Sequence, residues 1–181
     1  MGQATFEGCP IKFHIKLAEG GLEVMKKKKV NVYNNKRPLA YLLKTAIKEM
    51  ERAGVDVNNP LNWESEIASP AFFVYQKSKY KLVFDYKVLN DNTTDFIYPL
   101  PRIDKIVESL KGKKVFSIVD LKSGYYQFQL DEEAKRYTPT ITSEGIFKWH
   151  SLPWGLKNAP SFFQKTMNMI LGDFIGKICL Y

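Results

Sequence analysis

The chain has 181 residues, 45% of them hydrophobic and 25% charged, a globular balance that excludes wholesale disorder and allows one core or two small subdomains sharing one. Its 27 Lys and Arg against 19 Asp and Glu leave a formal charge of +8, which favours a polyanionic partner, nucleic acid first, over a basic protein that merely stays soluble. Cys9 and Cys179, far apart and without metal-ligand spacing, argue against a disulfide framework or a structural zinc and fit an intracellular location, cytoplasmic or nuclear; no long apolar run or signal-peptide core points to a membrane or to secretion.

Residues 1–36 are weakly patterned and read as an N-terminal basic arm or extension. The run Lys26-Lys27-Lys28-Lys29 is first a solvated face, then a nucleic-acid contact or nuclear-localisation cluster. From Arg37 to Ala53, Leu39, Leu42, Leu43, Ala46, Ile47 and Met50 form one apolar stripe at helical spacing, with Pro38 suited to the first turn and Gly54 to the stop. A polar connection around Pro60 and Trp63 follows. Ala71–Tyr75 and Lys81–Tyr86 read as two strands of a β-hairpin whose tip, Gln76 to Lys79, is basic. Ile103, Ile106, Val107 and Leu110 mark a short amphipathic helix stopped by Gly112. Strands are expected over Val115–Asp120 and Ile146–Leu152, a helix over Asn158–Leu171 with Pro160 near its start, and a last strand from Lys177 to Tyr181. This mixture of hairpins and helices is an α+β layer fold.

The chemistry concentrates in two segments. In Ser117-Ile-Val-Asp120-Leu-Lys-Ser-Gly124-Tyr125-Tyr126-Gln127 an apolar strand delivers a carboxylate to its end, before a Gly-containing turn with paired tyrosines. An Asp in that place is, taken alone, more often a cap or turn residue than a metal ligand. In Leu152-Pro-Trp154-Gly155-Leu-Lys157-Asn158-Ala-Pro160-Ser-Phe-Phe-Gln164 a tight Pro/Gly turn opens a helix.

Together these segments resemble two active-site motifs of reverse transcriptases, most closely those of gypsy-type LTR retrotransposons and retroviruses. Ala68-Ser-Pro-Ala-Phe-Phe-Val74, Phe84-Asp-Tyr-Lys-Val-Leu-Asn90 and Tyr98-Pro-Leu-Pro-Arg-Ile-Asp104 match in order and spacing, so the resemblance runs from about Leu39 to Tyr181. It implies the fingers and an incomplete palm of a right-hand polymerase, with residues 37–181 as the reverse transcriptase domain. It further implies two-metal nucleotidyl transfer with Mg2+, deoxynucleoside triphosphates as substrates, and an RNA or DNA primer–template as partner, with no membrane. By the same resemblance Asp120 is the first metal-binding aspartate, and Tyr125 is the aromatic gate beneath the incoming sugar. Lys77 and Lys81 fall where the family places basic residues on the triphosphate, and Trp154 and Gly155 beside the incoming nucleotide and template. Read without the family, Tyr125 is core packing and the hairpin lysines are solvated. Asn158, Pro160 and Gln164 shape the turn and its helix.

Several positions depart from the family pattern. Lys81 replaces an arginine, keeping the charge but losing a bidentate fork; the hairpin tip is one residue short; Trp154 stands for phenylalanine or glutamine; and Tyr137-Thr138-Pro139-Thr140 replaces a segment that normally reads Thr-Ala-Phe. The family's Tyr-x-Asp-Asp strand would reach its tyrosine at Tyr181, so the expectation is a C-terminally truncated chain that is catalytically incompetent alone, because one carboxylate does not hold two ions ~3.5–4 Å apart. The alternatives are a non-catalytic nucleic-acid-binding or partner-binding protein derived from a retroelement, and a part of a longer polyprotein whose remainder carries the missing acids. Host, template preference and oligomeric state are not legible in the sequence.

Overall fold

In the computed structural model, the described residues are 11–33, 37–52, 57–58 and 65–180. Six α-helices accompany five strands: α1 (Gly21–Lys27), α2 (Arg37–Arg52), β1 (Val57–Asn58), β2 (Ser69–Gln76), β3 (Lys79–Phe84), α3 (Lys87–Asp91), α4 (Ile103–Ser109), α5 (Glu132–Tyr137), β4 (Thr140–Thr142), β5 (Gly145–Trp149) and α6 (Ala159–Leu171). A 3-10 turn spans Gly124–Gln127. The five strands form one sheet in the order β1-β5-β4-β2-β3, antiparallel except where β2 meets β4. The α+β expectation holds.

Strand alternation decides what faces what. Leu82 and Phe84 of β3, with Thr140, Thr142, Phe147 and Trp149, line an apolar space closed by Leu43, Ile47 and Met50 of α2. That is the stripe read from the sequence, carried onto the sheet because burying it removes the apolar area from water. Lys44 reaches Glu144 in the β4–β5 turn at 3.3 Å, an exposed pair that orients more than it stabilises. The side chain of Leu39, and the expected helix end at Ala53 and Gly54, lie outside the described residues.

A second part of the core is aromatic. Phe162 of α6 meets Phe13 and Phe128 edge-on, with ring centroids at 5.1 and 5.4 Å. Segment 128–131 is held on both sides: Phe13 N donates to Gln129 O at 2.9 Å, and Leu152 N donates to Phe128 O at 2.8 Å. The stretch expected as a basic arm therefore contributes, in its described part, buried Phe13, Ile15 and Met25 to the same core. Short apolar runs without a helical or strand period hid that role. Of the lysine run, Lys26 and Lys27 close α1, and Lys26 pairs with Glu66 at 2.8 Å.

Two strand expectations fail. Val115–Asp120 has the composition of a strand but forms none: among the described residues no backbone hydrogen bond joins it to another segment. Ile118 is 93% and Val119 88% exposed. β-Propensity becomes a strand only where a partner completes the ladder. The stretch from Lys177 instead coils locally, with Lys177, Ile178 and Cys179 all donating to Phe174 O at 3.0–3.1 Å; Tyr181 lies outside the described residues. The strand expected over Ile146–Leu152 ends at Trp149, and Ser151 makes only a bridge to Gln129. β3 stops at Phe84 rather than Tyr86: Asp85 accepts from Lys87 N at 3.0 Å and the chain turns there into α3, which begins at Lys87.

Candidate functional site

The β2–β3 hairpin is built as its pattern indicates. Gln76 pairs with Lys79, leaving Lys77 and Ser78 as a two-residue turn with φ of 50° and 61°. Two positive φ values are what the right-handed twist of the flanking strands demands of so short a loop. Lys77 is therefore at the tip, and Lys81 is the third residue of β3, opposite Val74. Among the described residues neither lysine makes an ion pair, so both charges are free for an anion.

Lys81 opens onto a cleft of about 420 Å³ that is lined also by Leu82, Val83, Phe84, Tyr126, Trp154 and Gly155. Its opposite wall is the turn after β5. Gly155 has φ of 102°, and a Cβ there would lie 3.2 Å from Phe84 O and 3.4 Å from Tyr86 Cδ2. Only glycine lets this turn approach the end of the hairpin so closely. Two asparagines hold the approach. Asn90 Nδ2 donates to Gly155 O at 2.8 Å while Lys157 N donates to Asn90 Oδ1 at 2.9 Å. Buried Asn158 donates to Thr94 O at 2.8 Å and accepts from Phe96 N at 3.1 Å. The sequence reading gave Asn158 a shaping role, and this is the shape it makes. Asn90 and Tyr126 were not singled out; the Tyr125-Tyr126 pair and the closing Asn of the Phe84–Asn90 motif were the available signals.

The third wall follows Asp120. Ser123, at φ of 53°, and Gly124 turn the chain so that both tyrosines point back onto the core. Tyr125 lies against Trp154, ring centroids 4.4 Å apart, and edge-on to Phe163 at 5.5 Å. Tyr126 stacks on Trp149 at 5.9 Å and 6°. Burial pushes the Tyr125 phenol up and that of Tyr126 to about 12, so both are neutral donors at ordinary pH. Trp154 is 51% exposed, a flat apolar face on the rim.

The structure thus brings Lys81, Trp154 and Gly155 round one cleft with Tyr125 packed on its rim. Lys77 stands apart at the hairpin tip, and Asp120, exposed and without a hydrogen bond or ion pair among the described residues, is not in the lining. Asp120 offers a hard oxygen of the kind a divalent ion takes. Among the described residues, however, no group of three or more His, Cys, Asp or Glu could hold a metal, so the acid does not complete a site there. Nor is any helix among them long and apolar enough to cross a membrane.

Residues 69–181 match the family model described as reverse transcriptase (RNA-dependent DNA polymerase). The chain is 34% identical over 161 residues to the retrovirus-related Pol polyprotein from transposon 297 of Drosophila melanogaster, covering 82% of this chain and 15% of that protein. It is 36% identical over 118 residues to the enzymatic polyprotein of cauliflower mosaic virus (strain Strasbourg), covering 62% of this chain and 17% of that protein. The chain therefore spans less than a fifth of the length of these two relatives. The foamy viral protease–reverse transcriptase, solved in complex with an RNA/DNA hybrid, superposes with a TM-score of 0.65 at 17% identity, over 86% of this chain and 20% of that one, a likeness that shows a shared fold. With its motifs in order and more than half its length matched, the chain belongs to the reverse transcriptase (RNA-dependent DNA polymerase) family.

Proposed function

We propose that this chain forms the nucleotide-facing part of an RNA-directed DNA polymerase of gypsy-type retroelement character, acting inside the cell on a primer–template. Residues 37–181 are its reverse transcriptase unit and residues 1–36 an extension whose described part packs on it. The observation that carries the reading is the cleft itself: Lys81 of the hairpin, Tyr126 of the Asp120 motif, and Trp154 and Gly155 of the Pro/Gly turn meet at one surface. A deoxynucleoside triphosphate fits that chemistry. Lys81 faces the triphosphate, with Lys77 adding charge from the tip; Tyr125, held by Trp154 and Phe163, sets the floor under the sugar, where a 2′-hydroxyl would clash; Trp154 and Gly155 flank the base and template.

In the transfer, the primer 3′-hydroxyl gives its proton to water as its oxygen bonds to the α-phosphorus, the bond from the α-phosphorus to the bridging oxygen breaks, and pyrophosphate leaves with that oxygen, its charge facing the lysines. Divalent ions, Mg2+ first, supply charge stabilisation to such a centre when bound. Asp120 would provide one of their carboxylates, and among the described residues no further acid joins it in a cluster. That second point favours another reading for the 181-residue polypeptide alone, a nucleic-acid-binding protein without catalysis.

The test is primer extension on a gel, with magnesium. The 181-residue polypeptide should extend at background, and a chimeric chain carrying a relative's Asp-Asp segment and thumb should regain synthesis. In the chimera Asp120→Asn should abolish extension, and Tyr125→Ala should chiefly relax discrimination against ribonucleotides. Robust extension by the chimeric Asp120→Asn variant would remove Asp120 from the site.

A further inference from the structure

The hairpin carries a feature that the cleft does not use. Tyr75 and Tyr80 are directly paired across β2 and β3, their ring centroids 5.0 Å apart at 55°. They remain 64% and 51% exposed. Phe73 braces Tyr80 edge-on at 6.4 Å, so that ring is held rather than free to collapse. By strand alternation both tyrosines stand on the face of Leu82 and Phe84, the face that α2 covers further in, whereas Lys79 and Lys81 stand on the opposite face with Val83; neither tyrosine lines the cleft. β3 is the outer strand of the sheet, so only its own edge separates the two faces. From Ser69 to Phe84 the chain holds Lys77, Lys79 and Lys81 and no acidic residue.

We propose that Tyr75 and Tyr80 form a stacking platform for an unpaired stretch of nucleic acid, running over the edge of β3 with its phosphates toward Lys77, Lys79 and Lys81. The inference rests on the nucleic-acid reading above and adds a second, single-strand contact outside the nucleotide cleft. A cross-strand aromatic pair stabilises a hairpin wherever it occurs. That role alone would be served equally by a covered pair, and an uncovered one beside three lysines that make no ion pair among the described residues offers its π-faces to a polyanion whose bases are themselves flat and apolar. Stacking accepts every base and the lysine stems reach past the strand edge, so the platform is expected to be indifferent to sequence.

The experiment is fluorescence anisotropy with a mixed-sequence single-stranded DNA 12-mer and with its duplex, across a salt series. The double variant Tyr75→Leu/Tyr80→Leu should lose about tenfold or more in single-strand affinity, the scale of one base–aromatic stack, with an unchanged salt slope. Tyr75→Phe/Tyr80→Phe, which keeps both rings, should bind like the parent chain. Lys77→Ala/Lys79→Ala/Lys81→Ala should weaken both probes and flatten their salt dependence, because fewer counterions are released. Parental single-strand binding by the leucine pair, or an equal loss in the phenylalanine pair, overturns the platform while leaving the nucleic-acid reading intact. An unchanged slope in the lysine variant, with either probe, overturns the nucleic-acid reading of the hairpin itself.

Discussion

Asn90 and Gly155 are joined across 65 positions of chain: the Asn90 amide donates to the Gly155 carbonyl at 2.8 Å. The same side chain accepts from Lys157 N, so one residue grips both ends of the turn that walls the cleft. Asn158 returns the arrangement, binding Thr94 and Phe96 on the segment that follows α3. Two motifs are thereby locked together by amide groups that donate from one atom and accept at another, so one side chain reaches two backbone groups at once.

Asn90→Ala removes both bonds and leaves a carbonyl and an N–H to find water. A loss of about 1–3 kcal/mol of stability is expected, at roughly 0.5–1.5 per bond. Urea unfolding should show a lower midpoint at an unchanged m-value. Asn158→Ala, at a buried site, should cost at least as much. A midpoint within error of the parent chain in both variants would show that the turn holds without them.

Alkaline pH should unfold the chain through its buried phenols. Burial raises Tyr126 to about 12 from its ordinary value of 10.0, and raises Tyr86, whose hydroxyl donates to Thr138 O at 2.9 Å, well above it. Folded-state values above the unfolded one mean that this stability is fully present below the unfolded value of 10.0 and is lost as pH rises through the folded values, for Tyr126 between 10.0 and about 12. Each such group adds a slope of about 1.4 kcal/mol per pH unit within its window. Tyr126→Phe keeps the ring on Trp149 and should remove one proton's worth of that slope. Chemical denaturation at several alkaline pH values, read beside the tyrosinate absorbance, would detect an unaltered slope and so reject the assignment.

Exposed apolar side chains along Val115–Leu121 should make the purified chain associate as its concentration rises. Val115, Ile118 and Val119 project into solvent beside backbone groups that lack a ladder partner among the described residues. Val115→Lys/Val119→Lys should lower light scattering at high concentration. Thermal stability at low concentration should shift by only about 0.5 kcal/mol or less, since neither side chain is packed. A large drop in melting temperature would mean that these residues do support the fold.

Residues near one another in sequence settled what depends on local pattern. The α2 stripe, the hairpin with its basic tip and the Pro-initiated α6 were legible because helix and strand periods and turn chemistry act over a few residues. The order of the motifs likewise carried the family, because motif order is a property of the chain itself. Tertiary structure alone decided three matters. Phe13 and Ile15 belong to the core because segment 128–131 offers them a ladder and Phe162 a ring to meet. The cleft exists because Gly155, held by Asn90, sits so close to Phe84 and Tyr86, all remote from it in sequence, that a Cβ there would be crowded at 3.2 Å. Val115–Asp120, with all the composition of a strand, is none, since a strand is a relation between two segments and its hydrogen bonds need a second chain segment to receive them.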